Sequence, residues 1–279
     1  DNSIYYHTST LTNGAGDNSY RYAGANPNNY VCFGSTATSC PTDNLYRIIG
    51  VFGDQVKLIK YDYANSNLLG TNEDYSINTF SKSSNSTYKG ELTTINTYYW
   101  NNSTRNNTWS ESNLNKVNLN TNYLNNIGTT WSNLIEDTTW KVSGHTTSEV
   151  TPKAMYTAEI TNATKTYGPE NGTSKIGLMY ASDYGFAAAP SAWTSNMSSY
   201  YSSAITSVNW MYMGLEEWTI TPYSSLSNDR VFHAFSNGLL NDVGTGARGY
   251  GVRPVLYLKS SALYAGGSGT KNSPITLVV

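Results

Sequence analysis

The sequence predicts an α+β fold in which short helices surround twisted antiparallel sheets. Three observations carry that expectation. The segment LYRIIGVFGDQVKLIKY, residues 45–61, alternates and is rich in β-branched residues on both sides of a Gly53-Asp54 break, a hairpin signature. In the last quarter of the chain, GLEEWTITP (214–222) and GYGVRPVLYL (249–258) read as apolar strands bracketing a segment rich in Ser, Asn, Gly and aromatics. The helical signals between these regions are short and diluted by Asn, which lowers helix propensity.

Taken in order, residues 1–29 read as an extended lead-in with turns at Asn13-Gly14 and Asn26-Pro27. A hairpin follows, from 30–33 through a loop to 45–52, and the Gly53-Asp54 turn leads into 55–61. Residues 62–107 read as long loops with short strands, 93–100 among them. In WSESNLNKVNLNTNYLNNI, 109–127, Leu114, Val117, Leu124 and Ile127 fall near a helical spacing. Its many Asn residues predict two short helices with a break near 118–122. Residues 131–135 and 152–161 read as further short helices, the second starting at Pro152. A loop at 168–173 precedes a buried strand from Ile176 to Tyr180, and Ser182-Asp183 reads as a turn cap. The two bracketing strands, a glycine turn and a final short strand complete the chain. The expected organisation is a single domain over 30–279 with an insert at 223–250.

Charged residues are 13% of the chain, about half the usual ~25%. With 17 basic against 19 acidic residues, net charge −2 and no run of Lys or Arg, no nucleic-acid or anionic-membrane partner is expected. Solubility rests instead on Asn, Ser, Thr and 24 Tyr. That vocabulary suits half-buried strands and turns, and it equally suits adaptable recognition loops. No apolar run reaches the ~18 residues of a membrane span. The polar start at Asp1 reads as that of a mature or truncated ectodomain. Cys32 and Cys40 have seven residues between them, without the Cys-x-x-Cys spacing of a redox pair or a nearby His. A disulfide closing a hairpin loop fits best and points to export.

Candidate chemistry is sparse. His7, His145 and His233 lie in separate regions, with His145 read as an exposed loop residue. No Gly-x-Ser-x-Gly elbow, His-Glu-x-x-His helix or phosphate loop is present. Glu216 and Glu217 are adjacent on a strand, so they face opposite sides and cannot flank one bond. Glu217 is expected inward, against backbone or Arg253, and Glu216 exposed. Acidic groups at 72–74, 136–137 and 182–183 lack calcium-loop spacing. No enzyme activity, cofactor or metal is expected.

GLEEWTITP followed by GYGVRPVLYL resembles the end of the C-type-lectin-like fold in its formylglycine-generating-enzyme-like branch. That branch includes the variable ligand-binding proteins of diversity-generating retroelements. ANPNNYVCFG, LYRIIGVFGDQVKLIKYD, KIGLMYASDYGFAA and NWMYMGLEEWTI resemble secreted or surface-anchored, in some cases pilin-like, proteins of gut Gram-positive bacteria. The resemblance runs from about residue 19 to the tail. It implies a C-type-lectin-like domain at a bacterial cell surface, with Glu217, Trp218 and Arg253 as its structural frame and any variable positions in the insert. The sugar-specifying and calcium triplets of animal C-type lectins are absent, as is the cysteine arrangement of the formylglycine-generating enzymes.

Within the insert, Tyr223, Asn228, Arg230, Phe232, Asn237, Asn241, Asp242, Arg248 and Tyr250 are the candidate ligand-binding residues. If 230–235 is a strand, Val231 and Phe235 look like core, which turns Arg230, Phe232 and Ala234 outward. The expected function is a non-enzymatic adhesin or display module for a protein or glycan ligand. The alternative is a structural subunit of a pilus or other filament, packing against sister subunits.

Overall fold

Either side of the Gly53-Asp54 turn, the alternating segment forms the longest strand pair of the protein, in a computed structural model describing residues 3–163, 170–225 and 227–279. In chain order the strands are β1 (Ile4–Tyr6), β2 (Tyr20–Tyr22), β3 (Tyr30–Cys32), β4 (Leu45–Phe52), β5 (Gln55–Lys60), β6 (Tyr75–Ser81), β7 (Thr94–Tyr98) and β8 (Thr138–Val142). They continue as β9 (Glu170–Ser174), β10 (Ile176–Gly177), β11 (Glu217–Pro222), β12 (Arg230–Ala234), β13 (Leu240–Gly244), β14 (Val255–Leu258), β15 (Tyr264–Gly266) and β16 (Thr276–Leu277). The strand pairs are antiparallel and the helices short, so the class is α+β.

Among the described residues the main sheet has seven strands in the order β1-β2-β4-β5-β14-β10, with β3 also on β4. The eight residues of β4 accommodate β2 at one end, through Tyr20↔Val51 and Arg21↔Gly50, and β3 at the other, through Tyr30↔Arg47 and Cys32↔Leu45. Gly50 makes this crowding possible. A Cβ there would sit 2.2 Å from the Tyr20 carbonyl oxygen, and the β4–β5 register shifts beside it. The expected lead-in is thus corrected: residues within 1–29 supply two strands of the main sheet. Their partner is distant in sequence, so no local signal announces the pairing.

The Asn-rich segment also departs from expectation. A π-wound run Leu114–Tyr123 continues into the α-helix Leu124–Ile127 without a break. Its amides are bound instead of free. Asn118 Nδ2 donates to the carbonyls of Leu69 (2.9 Å) and Asn72 (3.2 Å), and Asn122 Nδ2 to that of Leu69 (2.9 Å). Asn120 exchanges two 2.9 Å hydrogen bonds with the backbone of Ile176, acting as a strand neighbour for β10. These contacts satisfy backbone groups that burial would otherwise leave unpaired.

Helix Thr129–Ser132 takes the place of the one expected at 131–135. Pro152–Tyr156 and the π-wound turn Thr157–Thr161 match the expected bounds, with the Thr151 hydroxyl capping the Ala154 N–H. Residues 170–173, read as loop, belong to β9, which pairs with β8; the rest of that loop lies outside the described residues. Leu178, Met179 and Tyr180 are buried beyond the short β10, and Asp183 Oδ2 accepts the Tyr180 N–H (2.9 Å) at the start of helix Ala181–Phe186. Cys32 and Cys40 are disulfide-bonded, as the spacing indicates.

A second sheet, β11-β12-β13, is built largely from the insert. One continuous apolar core holds residues of both sheets, Leu58 and Val255 alongside Trp218, Val231 and Phe232. The insert is therefore half framework.

Candidate functional site

The insert is anchored by its two flanks. Glu217 opens β11 and bridges to Gly251, and Arg253 Nε donates to Glu217 Oε1 at 2.6 Å with both side chains buried. Arg253 Nη2 also donates to the Met211 carbonyl (2.8 Å). Burial opposes the guanidinium charge, and the Glu217 carboxylate more than offsets it, so the Arg253 pKa rises. Trp218, fully buried, donates its indole N–H to the Tyr98 carbonyl (2.6 Å). Glu217, Trp218 and Arg253 thus lock β11 to the main sheet and to β7. Glu216, expected exposed, is half-buried on the other side of the strand.

Strand β12 lies between β11 and β13, and both of its faces are covered. Phe232, Ala234, Val231 and His233 are all buried, so the outward placement of Phe232 and Ala234 is corrected. Alternation cannot choose a face for a strand buried on both sides. His233 stacks on Tyr250 (ring centroids 4.8 Å apart) and meets Trp218 edge-on (6.2 Å). Burial first, then the charges of Arg230 and Arg248, hold its pKa down at about 3, so it packs as a neutral ring.

The candidate ligand residues consequently divide. Arg230 is spent on an ion pair with Asp242 across β12 and β13. Tyr223, half-buried, packs edge-on against Phe232 (5.5 Å). Asn228, Asn237 and Asn241 are exposed, at the approach to β12, in the β12–β13 turn and on β13 respectively. Arg248 and Tyr250 come together at a cleft of ≈ 320 Å³ between the insert and the β6–β7 hairpin. Tyr250 is only 5% exposed, so it floors the cleft and the exposed Arg248 stands at its rim.

Asn78, Phe80, Tyr99 and Glu216 also line it, and sequence reasoning did not select them as ligand contacts. Three of these come from a region read mainly as loops. The available signal was the alternation of YSINTF, 75–80, opposite the strand near 93–100. Gly249 lets the two walls approach, since a Cβ there would lie 2.5 Å from the Ser76 Cβ. The cleft offers ring faces, an amide, a carboxylate and a guanidinium. Such a set stacks on apolar or sugar faces and hydrogen-bonds their polar edges.

Among the described residues, no group of three or more His, Cys, Asp or Glu is arranged to hold a metal ion. No described helix is long and apolar enough to cross a membrane. His145 is half-buried, in contrast to the exposed position expected, and burial lowers its pKa. No protein-family model, curated protein or solved structure matches this chain.

Proposed function

We propose that this chain is a non-enzymatic recognition module of C-type-lectin-like fold, acting outside the cell at a bacterial surface. Its ligand is a protein or glycan held at the cleft between the insert and the β6–β7 hairpin. The observation that carries this reading is the convergence of Phe80, Tyr99, Asn78, Glu216 and Arg248 on one concave surface. Behind that surface, Glu217, Trp218 and Arg253 supply the rigid support that a preorganised site requires. The most buried histidines, His7 and His233, are held neutral among aromatic rings, which suits packing better than proton transfer. The disulfide is of the kind that persists in oxidising compartments.

The test is a glycan and extracellular-protein array probed with the wild type and with a Tyr99→Ala/Arg248→Ala variant. The reading expects a wild-type ligand whose binding falls at least about tenfold in the variant, as loss of a central aromatic and Arg contact does. Equal binding by both proteins, with unchanged folding, overturns the cleft as the site.

A second reading, a filament subunit packing against sister chains, draws on a different surface. Leu263, Tyr264, Val278 and Val279 are between 52% and 65% exposed. They neighbour an apolar groove of ≈ 230 Å³ that includes Val31, Leu258, Tyr264 and Leu277. Exposed apolar patches of this sort mark interaction surfaces. Concentration-dependent assembly in sedimentation, abolished by Tyr264→Glu, is the outcome that favours it.

A further inference from the structure

Far from the ligand cleft, on the face of β5 that meets helix Ala181–Phe186, the main sheet buries an amine against a carboxyl group. Lys57 Nζ lies 2.5 Å from Asp183 Oδ2, and the two side chains are only 1% and 2% exposed. Aromatic rings enclose the amine. Its nitrogen is 4.5 Å from the Tyr180 ring centre, 5.4 Å from those of Phe52 and Tyr257, and 5.9 Å from that of Trp140. A third buried group, on the Thr157–Thr161 turn, is bonded to the start of the same helix. Glu159 Oε1 accepts from the Ser182 N–H (3.3 Å), next to Asp183, and from the Thr221 hydroxyl (2.6 Å). Its Oε2 is buried with no hydrogen-bond partner among the described residues.

We propose that Lys57 and Asp183 become joined by an intramolecular amide bond, with Glu159 carrying protons between them.

The reaction balances within the chain. The Lys57 nitrogen attacks the Asp183 carboxyl carbon and forms the C–N bond, and one carboxyl oxygen leaves with two protons from the ammonium as water. Glu159 hands a proton to the leaving oxygen and recovers one from the nitrogen, ending as it began. No oxidant, reductant or activated carrier enters. Water departs through the cleft of ≈ 200 Å³ that Lys57 and Asp183 help to line.

Three features favour condensation here over the hydrolysis that prevails between free amines and acids in water. The two groups are held in contact, and oriented intramolecular pairs reach effective molarities of ~10⁵–10⁸ M. Burial of both side chains at the base of that cleft makes an ion pair costly, whereas a neutral amide carries no such penalty. Charge stays balanced afterwards, because Arg21, which reaches Asp183 Oδ1 at 3.4 Å, remains paired with Asp17 at 2.7 Å. Burial above all raises the Glu159 pKa to about 7, so a substantial fraction of it holds a proton near neutral pH. The bond would tie β5 to a helix 126 residues further on, a covalent clamp across the sheet.

Intact mass spectrometry of the reduced, denatured wild type tests this directly. The expected mass is that of the sequence less one water, with fragmentation locating the loss in a branched peptide that joins Lys57 to Asp183. Glu159→Gln should restore the full sequence mass while the circular dichroism of the folded protein is retained. A folded wild type of full mass, yielding the two peptides separately, overturns the bond. So does a water loss mapped elsewhere. A Glu159→Gln protein that still loses water overturns the role given to Glu159, and the wild-type mass decides the bond even if that variant fails to fold.

Discussion

The Asn-rich helix and the insert are both polar stretches with few charges, yet their amides are placed differently. In the helix, Asn118, Asn120 and Asn122 turn onto backbone groups of the 69–72 segment and of β10. In the insert, Asn228, Asn237 and Asn241 are exposed, and Asn237 Oδ1 reaches no further than the Leu239 N–H of its own turn (3.2 Å). The neighbours decide the difference. Leu114, Leu119 and Tyr123 draw one face of the helix into the core and bring its amides against other chain segments. Around the insert's amides the apolar residues, Val231, Phe232 and Leu240, face inward and leave the turns polar and uncovered. The Asn side chains of a polar stretch therefore clamp or stand exposed according to where its apolar anchors point.

The contrast can be broken at its supports first. Glu217→Ala strands the buried Arg253 charge, and removing one partner of such a pair costs about 3–5 kcal/mol. Denaturant unfolding measures it; a loss below about 1 kcal/mol would show that the insert is not anchored through this pair. Next comes the clamp itself. Asn118→Ala removes two hydrogen bonds from carbonyls that each keep one other donor and should cost about 1–2 kcal/mol, whereas Asn241→Ala on the exposed edge should stay within about 0.5 kcal/mol. Equal costs at the two sites would erase the distinction.

A smaller effect sharpens the comparison through pH. His7, in the frame, and His233, in the insert, both have folded pKa values lowered from 6.5 to about 3, first by burial. Arg21 adds to that at His7 with Asp17 opposing it, and Arg230 and Arg248 add to it at His233. As pH falls below 6.5 the unfolded chain gains protons that the folded one refuses, so stability is lost. Glu159 works the other way: its folded pKa is raised from 4.5 to about 7, so its contribution is full below 4.5 and is lost as pH rises towards 7. Between pH 6.5 and 4.5 these groups leave a net loss of roughly one proton, about 1.4 kcal/mol per pH unit of acidification. His233→Phe should flatten that slope, and an unchanged acid limb would contradict a buried neutral His233.

The sequence was legible where pairing is local and one-sided. The β4–β5 hairpin, the disulfide loop and the Pro152 helix start all follow from neighbouring residues. It was illegible where partners are remote. Strands β1 and β2 join the sheet only through residues 50 and 51, and β6 reaches β7 across a long connection with no turn signature. One wall of the cleft comes from that hairpin and the residue after it, so Asn78, Phe80 and Tyr99 escaped notice while Arg248 did not. Phe232 and Tyr250 misled for another reason, since aromatics in a polar insert serve equally as contacts or as core.

Oxidative footprinting with and without a ligand selected from the array tests the central claim most directly. The account predicts protection of Phe80 and Tyr99, with Leu263 and Tyr264 unchanged. Protection confined to Leu263, Tyr264 and Val278, with Phe80 and Tyr99 as reactive as before, would contradict the cleft and move recognition to the apolar groove.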